Sequence, residues 1–250
     1  EAEIPVVAPL RFEDGRTLFE WQGLRYALFP RRGGHAPEFD RLDNLLVLGR
    51  TLGRIHAVGA ARSFAHRPRI DGEQILTESR STLIPQFLPN DLQEAYLTLH
   101  SDIASALREP LAEMAEHPQF RVHGDCHAGN ILWRDEPAHF VDLDDCCTAP
   151  AVQDLWMFLS GERHERELQL SELIAGFEEF CEFDARELRL IEALLTLRIV
   201  RYAAWLARRW EDPAFPRAFP WFASARYWSD HILELREQFA NLQEPPLRLL

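Results

Sequence analysis

The chain has 250 residues, of which 46% are hydrophobic and 27% charged, a composition typical of a globular protein with one large domain or two lobes. It has no apolar run long enough to span a bilayer and no signal-peptide pattern, and its four cysteines are too few for a disulfide framework, so we expect a cytoplasmic protein outside the membrane. A formal net charge of −13 disfavours binding to nucleic acid and is compatible with a basic protein or a cationic small molecule as partner.

The first predicted element is a β-hairpin within residues 10–30. Apolar and aromatic runs at Thr17–Trp21 and Leu24–Phe29 are separated by a Gln-Gly dipeptide, which is typical of a tight turn. The segment Pro30–Gly34 then ends the second strand, because proline and consecutive glycines interrupt regular pairing.

Beyond about residue 40 the pattern becomes helical. Apolar residues recur at steps of three and four in three stretches: Leu45, Leu48, Leu52 and Ile55; Leu92, Tyr96, Leu99, Ile103, Leu107, Leu111 and Met114; and Leu188, Ile191, Leu195, Ile199 and Tyr202. Each stretch predicts one long helix. The segment Glu73–Leu83 continues none of these stripes, and we interpret it as a loop or as a join in the chain.

The clearest chemical signal is the run His123–Asn130, which reads His-Gly-Asp-Cys-His-Ala-Gly-Asn. Asp125 is suited to accept a proton from a substrate hydroxyl. The amide oxygen of Asn130, five residues later, suits Mg²⁺, which prefers hard oxygen ligands. Asp142 follows twelve residues beyond Asn130. Protein kinases have the same order: a catalytic aspartate, an asparagine five residues on, and a metal-binding aspartate.

Asp142 is predicted to lie on the second strand of a short β-hairpin, with strands at Asn130–Trp133 and His139–Leu143. We prefer Asp142 as the metal ligand because two apolar residues precede it, and Asp144 is a weaker second candidate. The alternative is that Asp142, Asp144 and Asp145 form only a solvated acidic run.

Several neighbouring residues have structural interpretations. His123, Cys126 and His127 suggest a zinc site, but their spacing fits no common zinc motif. His123 is predicted to hold the loop, and His127 to face the substrate or the transferred phosphate. Asp154 is predicted to accept backbone hydrogen bonds from the loop.

Four segments resemble one protein family along most of the chain. They are Val122–Asp135, Pro150–Met157, Arg208–Pro216 and Gln243–Leu247. They are similar to the bacterial stress response kinase A family, within the aminoglycoside phosphotransferase and choline kinase group of the protein-kinase-like fold.

The resemblance implies an α+β fold. Residues 1–37 would be the remnant of a β-rich N-lobe with its hinge, and residues 38–250 a mostly helical C-lobe that carries a small β-hairpin. The hinge backbone expected to meet the adenine of ATP comprises Ala27, Leu28, Phe29 and Pro30.

The resemblance also implies an ATP-dependent Ser/Thr protein kinase of the cytoplasm that uses Mg²⁺ and acts on a protein or on itself. Asp125 and Asp142 would be catalytic, and Asn130 and Asp142 would bind the metal. The residues alone leave two alternatives open. One is a small-molecule kinase that acts on an amino alcohol, a sugar or an aminoglycoside. The other is a pseudokinase or scaffold, against which the retention of all three residues argues.

All 27 basic residues are arginine, and the chain has no lysine. A kinase of this fold uses a lysine and a glycine-rich loop to hold the ATP phosphates. We therefore expect the front of the N-lobe to lie outside these residues, and these residues alone to transfer phosphate poorly. The alternative is a naturally lysine-free protein that has no such lobe.

Overall fold

The computed structural model describes residues 4–39, 41–84, 86–134 and 138–250. Its strands and helices, in chain order, are β1 (Phe19–Trp21), β2 (Leu24–Tyr26), α1 (Leu42–Ala60), α2 (Gly72–Leu83), α3 (Asn90–Ala106), α4 (Arg108–Glu116), β3 (Phe120–Val122), β4 (Ile131–Leu132), β5 (His139–Phe140), β6 (Cys147–Ala149), α5 (Arg163–Phe177), α6 (Ile191–Arg208), α7 (Ala214–Ala218) and α8 (Ala225–Asn241). Helices and small antiparallel sheets together confirm the predicted α+β class. Across these ranges, every helix is too short or too polar to cross a bilayer.

The chain divides into two compact units. The first contains the described residues up to Pro68, together with Gln119–Asp184 and Arg248–Leu250. The second contains Arg69–Pro118 and Ala185–Leu247. The predicted boundary after residue 37 refers to kinase lobes and falls inside the first unit, and it stays a prediction.

The N-terminal hairpin is confirmed, although it is shorter than predicted. Strands β1 and β2 pair through Phe19↔Tyr26 and Trp21↔Leu24. The two turn residues have φ of 50° and 75°, as the tight turns favoured in hairpins require. Strand β2 ends at Tyr26 instead of Phe29, because the Leu28 carbonyl accepts a hydrogen bond of 2.7 Å from Leu10 outside the hairpin.

Helices α1 and α5 form the packing centre of the first unit. The predicted stripe on α1 is confirmed at Leu45, Leu48 and Leu52, which are fully buried, while Ile55 is half-buried. Glycine lets the two backbones touch: a Cβ at Gly53 would lie 2.4 Å from the carbonyl oxygen of Phe177. This close approach holds α1, and with it the residues at its C-terminal end, in a defined position.

In the second unit, the two remaining stripes form helices with differences from the prediction. The second stripe is divided between α3 and α4, which meet at Leu107. Helix α6 forms over the third stripe, but the face that it buries differs from the predicted one. Tyr202 is 43% exposed, whereas Leu194, Leu197 and Val200 are buried in the core.

The interpretation of Glu73–Leu83 as a loop or a join was wrong. Helix α2 covers this segment, and its N-cap is the Asp71 carboxylate, which accepts a hydrogen bond of 2.9 Å from the backbone of Gln74. Its buried side includes Leu76, Ser79 and Leu83. The small polar serine in the middle of the stripe obscured the helical period.

Candidate active site

The run His123–Asn130 forms a loop between two short sheets of the first unit. It follows β3, whose last residue pairs with the first residue of β6 through Val122↔Cys147. The loop ends in a 3-10 turn at Ala128–Asn130, which leads directly into β4. The pairing Ile131↔Phe140 between β4 and β5 confirms the predicted hairpin beside the loop.

Asp154 holds the start of this loop in place through hydrogen bonds. Its carboxylate accepts hydrogen bonds from the backbone N–H of His123 at 2.7 Å and of Gly124 at 2.8 Å, as predicted. The His56 side chain on α1 donates a third, from Nε2 at 2.8 Å. Burial alone would raise the pKa of Asp154, but the hydrogen bond and charge of His56, the charge of His123 and the Gly124 N–H outweigh it and lower that pKa.

Gly124 explains why glycine stands where protein kinases have arginine. Its φ is 86°, in the left-handed region that other residues avoid. A Cβ here would lie 2.2 Å from the carbonyl oxygen of Asp145. The Gly124 carbonyl in turn accepts a hydrogen bond of 2.8 Å from the side chain of Gln153. The loop therefore packs backbone to backbone against the turn that follows Asp142.

Asp125, which follows Gly124, lies beside Asn130 at the end of the loop. The Asn130 amide nitrogen donates to the backbone carbonyl of Asp125 at 2.9 Å and lies 3.5 Å from its Oδ2. The amide nitrogen of Asn130 makes both of these contacts, so the amide oxygen, which can only accept, is the atom of this group that could bind a cation. Asn130 is buried, whereas the Asp125 side chain is 22% exposed.

The two backbone groups of Val141 connect this loop to Asp142. The Val141 N–H donates to the carbonyl of Asn130 at 3.0 Å. Its carbonyl accepts from Nε2 of His123 at 2.8 Å, which confirms that this histidine has a structural role. The residue just before Asp142 is thus hydrogen-bonded to both Asn130 and His123.

The placement of Asp142 within a strand was wrong. Strand β5 ends at Phe140, and Asp142 has φ 59° and ψ 67°, a left-handed conformation that turns the chain into the 3-10 turn Leu143–Asp145. Aspartate tolerates this region better than most residues. Asp142 and Asp144 are both exposed.

Sequence patterns did not indicate two further residues that support the site. Arg67 donates a hydrogen bond to the backbone carbonyl of Asp144, and the neighbouring Pro68 carbonyl accepts from Thr148 at 2.9 Å. His56 occupies the edge of the α1 stripe, where it resembles any core residue. Both contacts join segments distant in sequence, so no local pattern marks them.

The donors of the site suit a hard divalent cation. An amide oxygen at Asn130 and a carboxylate at Asp142 are ligands that Mg²⁺ accepts, with substrate phosphates and water as the rest of its shell. In the part of the chain that the structure describes, no three His, Cys, Asp or Glu side chains form a complete protein cage. Burial raises the pKa of the Cys126 thiol well above 9.0 and that of Cys146 to about 11, which disfavours thiolate ligands.

The predicted hinge residues lie just after β2. Ala27 is half-buried, and Leu28, Phe29 and Pro30 are exposed. Further along, His35 pairs with Trp133 at the end of β4 through backbone hydrogen bonds of 3.0 and 2.8 Å. The segment is therefore tied to the hairpin beside the loop, while its contact with adenine stays a prediction.

Comparison with known proteins shows the family to which the chain belongs. Residues 1–191 match the model of the phosphotransferase enzyme family. Stress response kinase A of Escherichia coli (strain K12) is 46% identical over 248 residues, which are 99% of this chain and 74% of that protein. The serine/threonine protein kinase RdoA of Salmonella typhimurium shows the same identity and coverage.

Solved structures show the same fold at low identity. Amicoumacin kinase hAmiN, in complex with AMP-PNP, Ca²⁺ and Ami, has a TM-score of 0.70 at 16% identity over 98% of this chain and 74% of that one. Choline kinase LicA from Streptococcus pneumoniae has a TM-score of 0.65 at 13% identity over 95% and 75%. With the family match and the relatives at 46% identity, the chain belongs to the phosphotransferase enzyme family, as an ATP-dependent kinase of the stress response kinase A family.

Proposed function

We propose that this kinase transfers the γ-phosphate of ATP to serine or threonine hydroxyls of proteins, itself included, in the cytoplasm. The observation that carries the proposal is the joined arrangement of Asp125, Asn130 and Asp142 through the backbone of Val141. The name of the Salmonella relative supports a protein acceptor. The four cysteines are free thiols, as a reducing cytoplasm favours.

In this proposal, Asp125 accepts the proton of the acceptor hydroxyl and orients that hydroxyl toward the phosphate. Phosphoryl transfer needs little covalent help from the protein, so positioning and charge stabilisation supply most of the rate. The hydrogen bond from Asn130 and the anchoring of the loop by Asp154 restrict the position of Asp125. A fixed carboxylate is therefore the main contribution of this loop.

Asn130 and Asp142 would hold a divalent cation, for which we propose Mg²⁺. When bound, such an ion neutralises charge on the ATP phosphates and orients them. The solved relative that contains an ATP analogue and Ca²⁺ supports the use of ATP with a divalent metal. The hinge backbone at Ala27–Pro30 would meet the adenine. Because Asp142 and Asp144 are both exposed, the choice of Asp142 rests on its link to Asn130 through Val141.

A small-molecule acceptor is the second candidate. The solved relatives of this fold include an amicoumacin kinase and a choline kinase, and a net charge of −13 suits a cationic substrate. The same acidic balance suits a basic protein, so charge alone does not separate the two acceptor classes.

A direct test incubates the full-length protein with γ-labelled ATP and Mg²⁺ in parallel reactions. One contains the kinase alone, one a generic basic protein, and one a panel of amino alcohols and aminoglycosides; Asp125→Asn serves as the control throughout. Label in the kinase or in the basic protein, lost in the control, is the expected result. Label in a small molecule alone would favour the second candidate, and no transfer with intact nucleotide binding would indicate a pseudokinase.

A further inference from the structure

The imidazole of His127 touches the loop at two points. Its Nδ1 accepts a hydrogen bond of 3.0 Å from the backbone N–H of Gly129. Its Nε2 lies 3.4 Å from Oδ2 of Asp125. The side chain of His127 is 39% exposed to solvent.

The first contact determines which ring nitrogen carries the proton. A nitrogen that accepts a hydrogen bond has a free lone pair, so in the neutral ring the proton is on the other nitrogen. For His127 this places an N–H group on Nε2, which faces the carboxylate of Asp125. The pair therefore has a donor opposite an acceptor and not two lone pairs opposite each other.

The room for this ring depends on the residue two positions later. A Cβ at Gly129 would lie 2.7 Å from Cε1 and 3.0 Å from Nδ1 of His127. Any larger residue at 129 would displace the imidazole. The absence of a side chain at residue 129 thus leaves the space that the imidazole of His127 occupies.

We propose that His127 is a positioning residue for Asp125, a role that rests on the proposed function of Asp125 as the base. The Nε2–H group lies 3.4 Å from Oδ2, and the amide nitrogen of Asn130 lies 3.5 Å from the same oxygen. Together these two donors restrict the position of Oδ2. Catalytic hydrogen bonds are often long without substrate and shorten in the reactive complex, which fits the distance of 3.4 Å.

The rival explanation is that His127 only caps the turn at Ala128–Asn130 through Nδ1. Two substitutions separate these roles. In His127→Asn, the short side chain can accept from the Gly129 N–H but cannot reach Asp125. In His127→Gln, the longer amide can place an N–H group where Nε2 stands but does not reproduce the cap.

The experiment measures kcat for phosphoryl transfer and Kd for the Mg²⁺–nucleotide complex with the full-length protein. His164→Gln, at an exposed position of α5, is the control. We expect His127→Asn to lower kcat about a hundredfold with Kd unchanged, as a displaced reacting group does, and His127→Gln to stay within about tenfold of the wild type. Wild-type kcat in both variants, equal losses in both, or a larger loss in His127→Gln would overturn the proposal.

Gly129→Ala provides a second test that keeps the imidazole but displaces it. A kcat reduced to the level of His127→Asn is expected, and an unchanged kcat would contradict the positioning role. Asp125→Asn distinguishes the two levels of the argument. If it retains turnover, the proposed function fails; if it is inactive while the His127 variants behave as wild type, only this inference fails.

Discussion

At the scale of single residues, the carboxylate of Asp154 accepts three hydrogen bonds from protein groups, which replace those that water would donate to an exposed carboxylate. It binds the side chain of His56 and two backbone N–H groups of the loop His123–Asn130, the proposed catalytic loop, and it is fully buried. A buried carboxylate is stable only when such donors surround it. The orientation of Asp125 therefore depends on a residue 29 positions later in the chain.

Asp154→Asn should destabilise the protein and make its stability less dependent on pH. Removing one member of a buried charged network costs roughly 3–5 kcal/mol. Because the pKa of Asp154 is lowered on folding, its contribution is complete above the ordinary value of 3.8 and is lost as the pH falls through the lowered value. Urea unfolding of both proteins from neutral pH downward measures this. A difference that stays constant as the pH falls through this range would contradict the assignment.

Asp142→Ala should weaken Mg²⁺-dependent nucleotide binding more than Asp144→Ala does. Val141 ties Asp142 to the carbonyl of Asn130, whereas Asp144 lies in the following turn. Nucleotide titration by calorimetry, with and without Mg²⁺, compares the two variants, which remove the same charge from neighbouring exposed positions. Equal effects, or a larger effect at Asp144, would reverse the order of the two ligands.

At the scale of elements, the sequence correctly predicted those features that depend on residues close together in the chain. The hairpin turn at residues 22 and 23, the stripe on α1 and the β-hairpin beside the catalytic loop were predicted, because each depends on neighbouring residues. Helix α2 was missed because Ser79 interrupts its apolar stripe. The buried face of α6 was misplaced because every side of that helix carries apolar residues.

The parts of the site that could not be predicted are long-range contacts. The partnership of His56 with Asp154 spans 98 residues, and that of Arg67 with Asp144 spans 77. The sequence spacing indicated Asp125, Asn130 and Asp142 as candidates for the site, but it did not indicate that Asp142 lies beyond its strand in a left-handed conformation. The turn that follows Asp142 packs closely on Gly124, and no spacing encodes that contact.

The contact between the catalytic loop and the turn after Asp142 can be tested with two glycines. Gly124→Ala should reduce both phosphoryl transfer and Mg²⁺–nucleotide binding, because its Cβ would meet the Asp145 carbonyl at 2.2 Å. Gly15→Ala is the control, since Gly15 has a similar φ of 81° but nothing within 4 Å of the added Cβ. Both variants carry a backbone strain of about 1–2 kcal/mol. Equal behaviour of the two in the transfer and binding assays would argue against the packing role.

At the scale of the whole molecule, charge is the dominant property. The chain carries 40 acidic and 27 basic residues, all of the latter arginine. Such an excess attracts cationic partners over distances set by ionic strength. It therefore acts on the encounter with an acceptor and not on the chemistry at Asp125.

Transfer to a basic protein should accordingly depend on salt through KM. We expect KM for this acceptor to rise on the order of tenfold as the screening length falls from about 30 Å at 0.01 M salt to about 3 Å at 1 M, with kcat little changed. The same titration with a neutral acceptor peptide is the control. A salt effect confined to kcat, or equal for both acceptors, would show that long-range charge does not guide the acceptor.

The central claim is that Asp125 is the base of a phosphoryl-transfer site. The sharpest test measures single-turnover transfer from γ-labelled ATP by the full-length protein. It compares the wild type with Asp125→Asn at saturating Mg²⁺–ATP. We expect the rate to fall by about 10²–10⁴ while nucleotide affinity and thermal stability are retained. A rate near that of the wild type in a variant that binds nucleotide normally would contradict it.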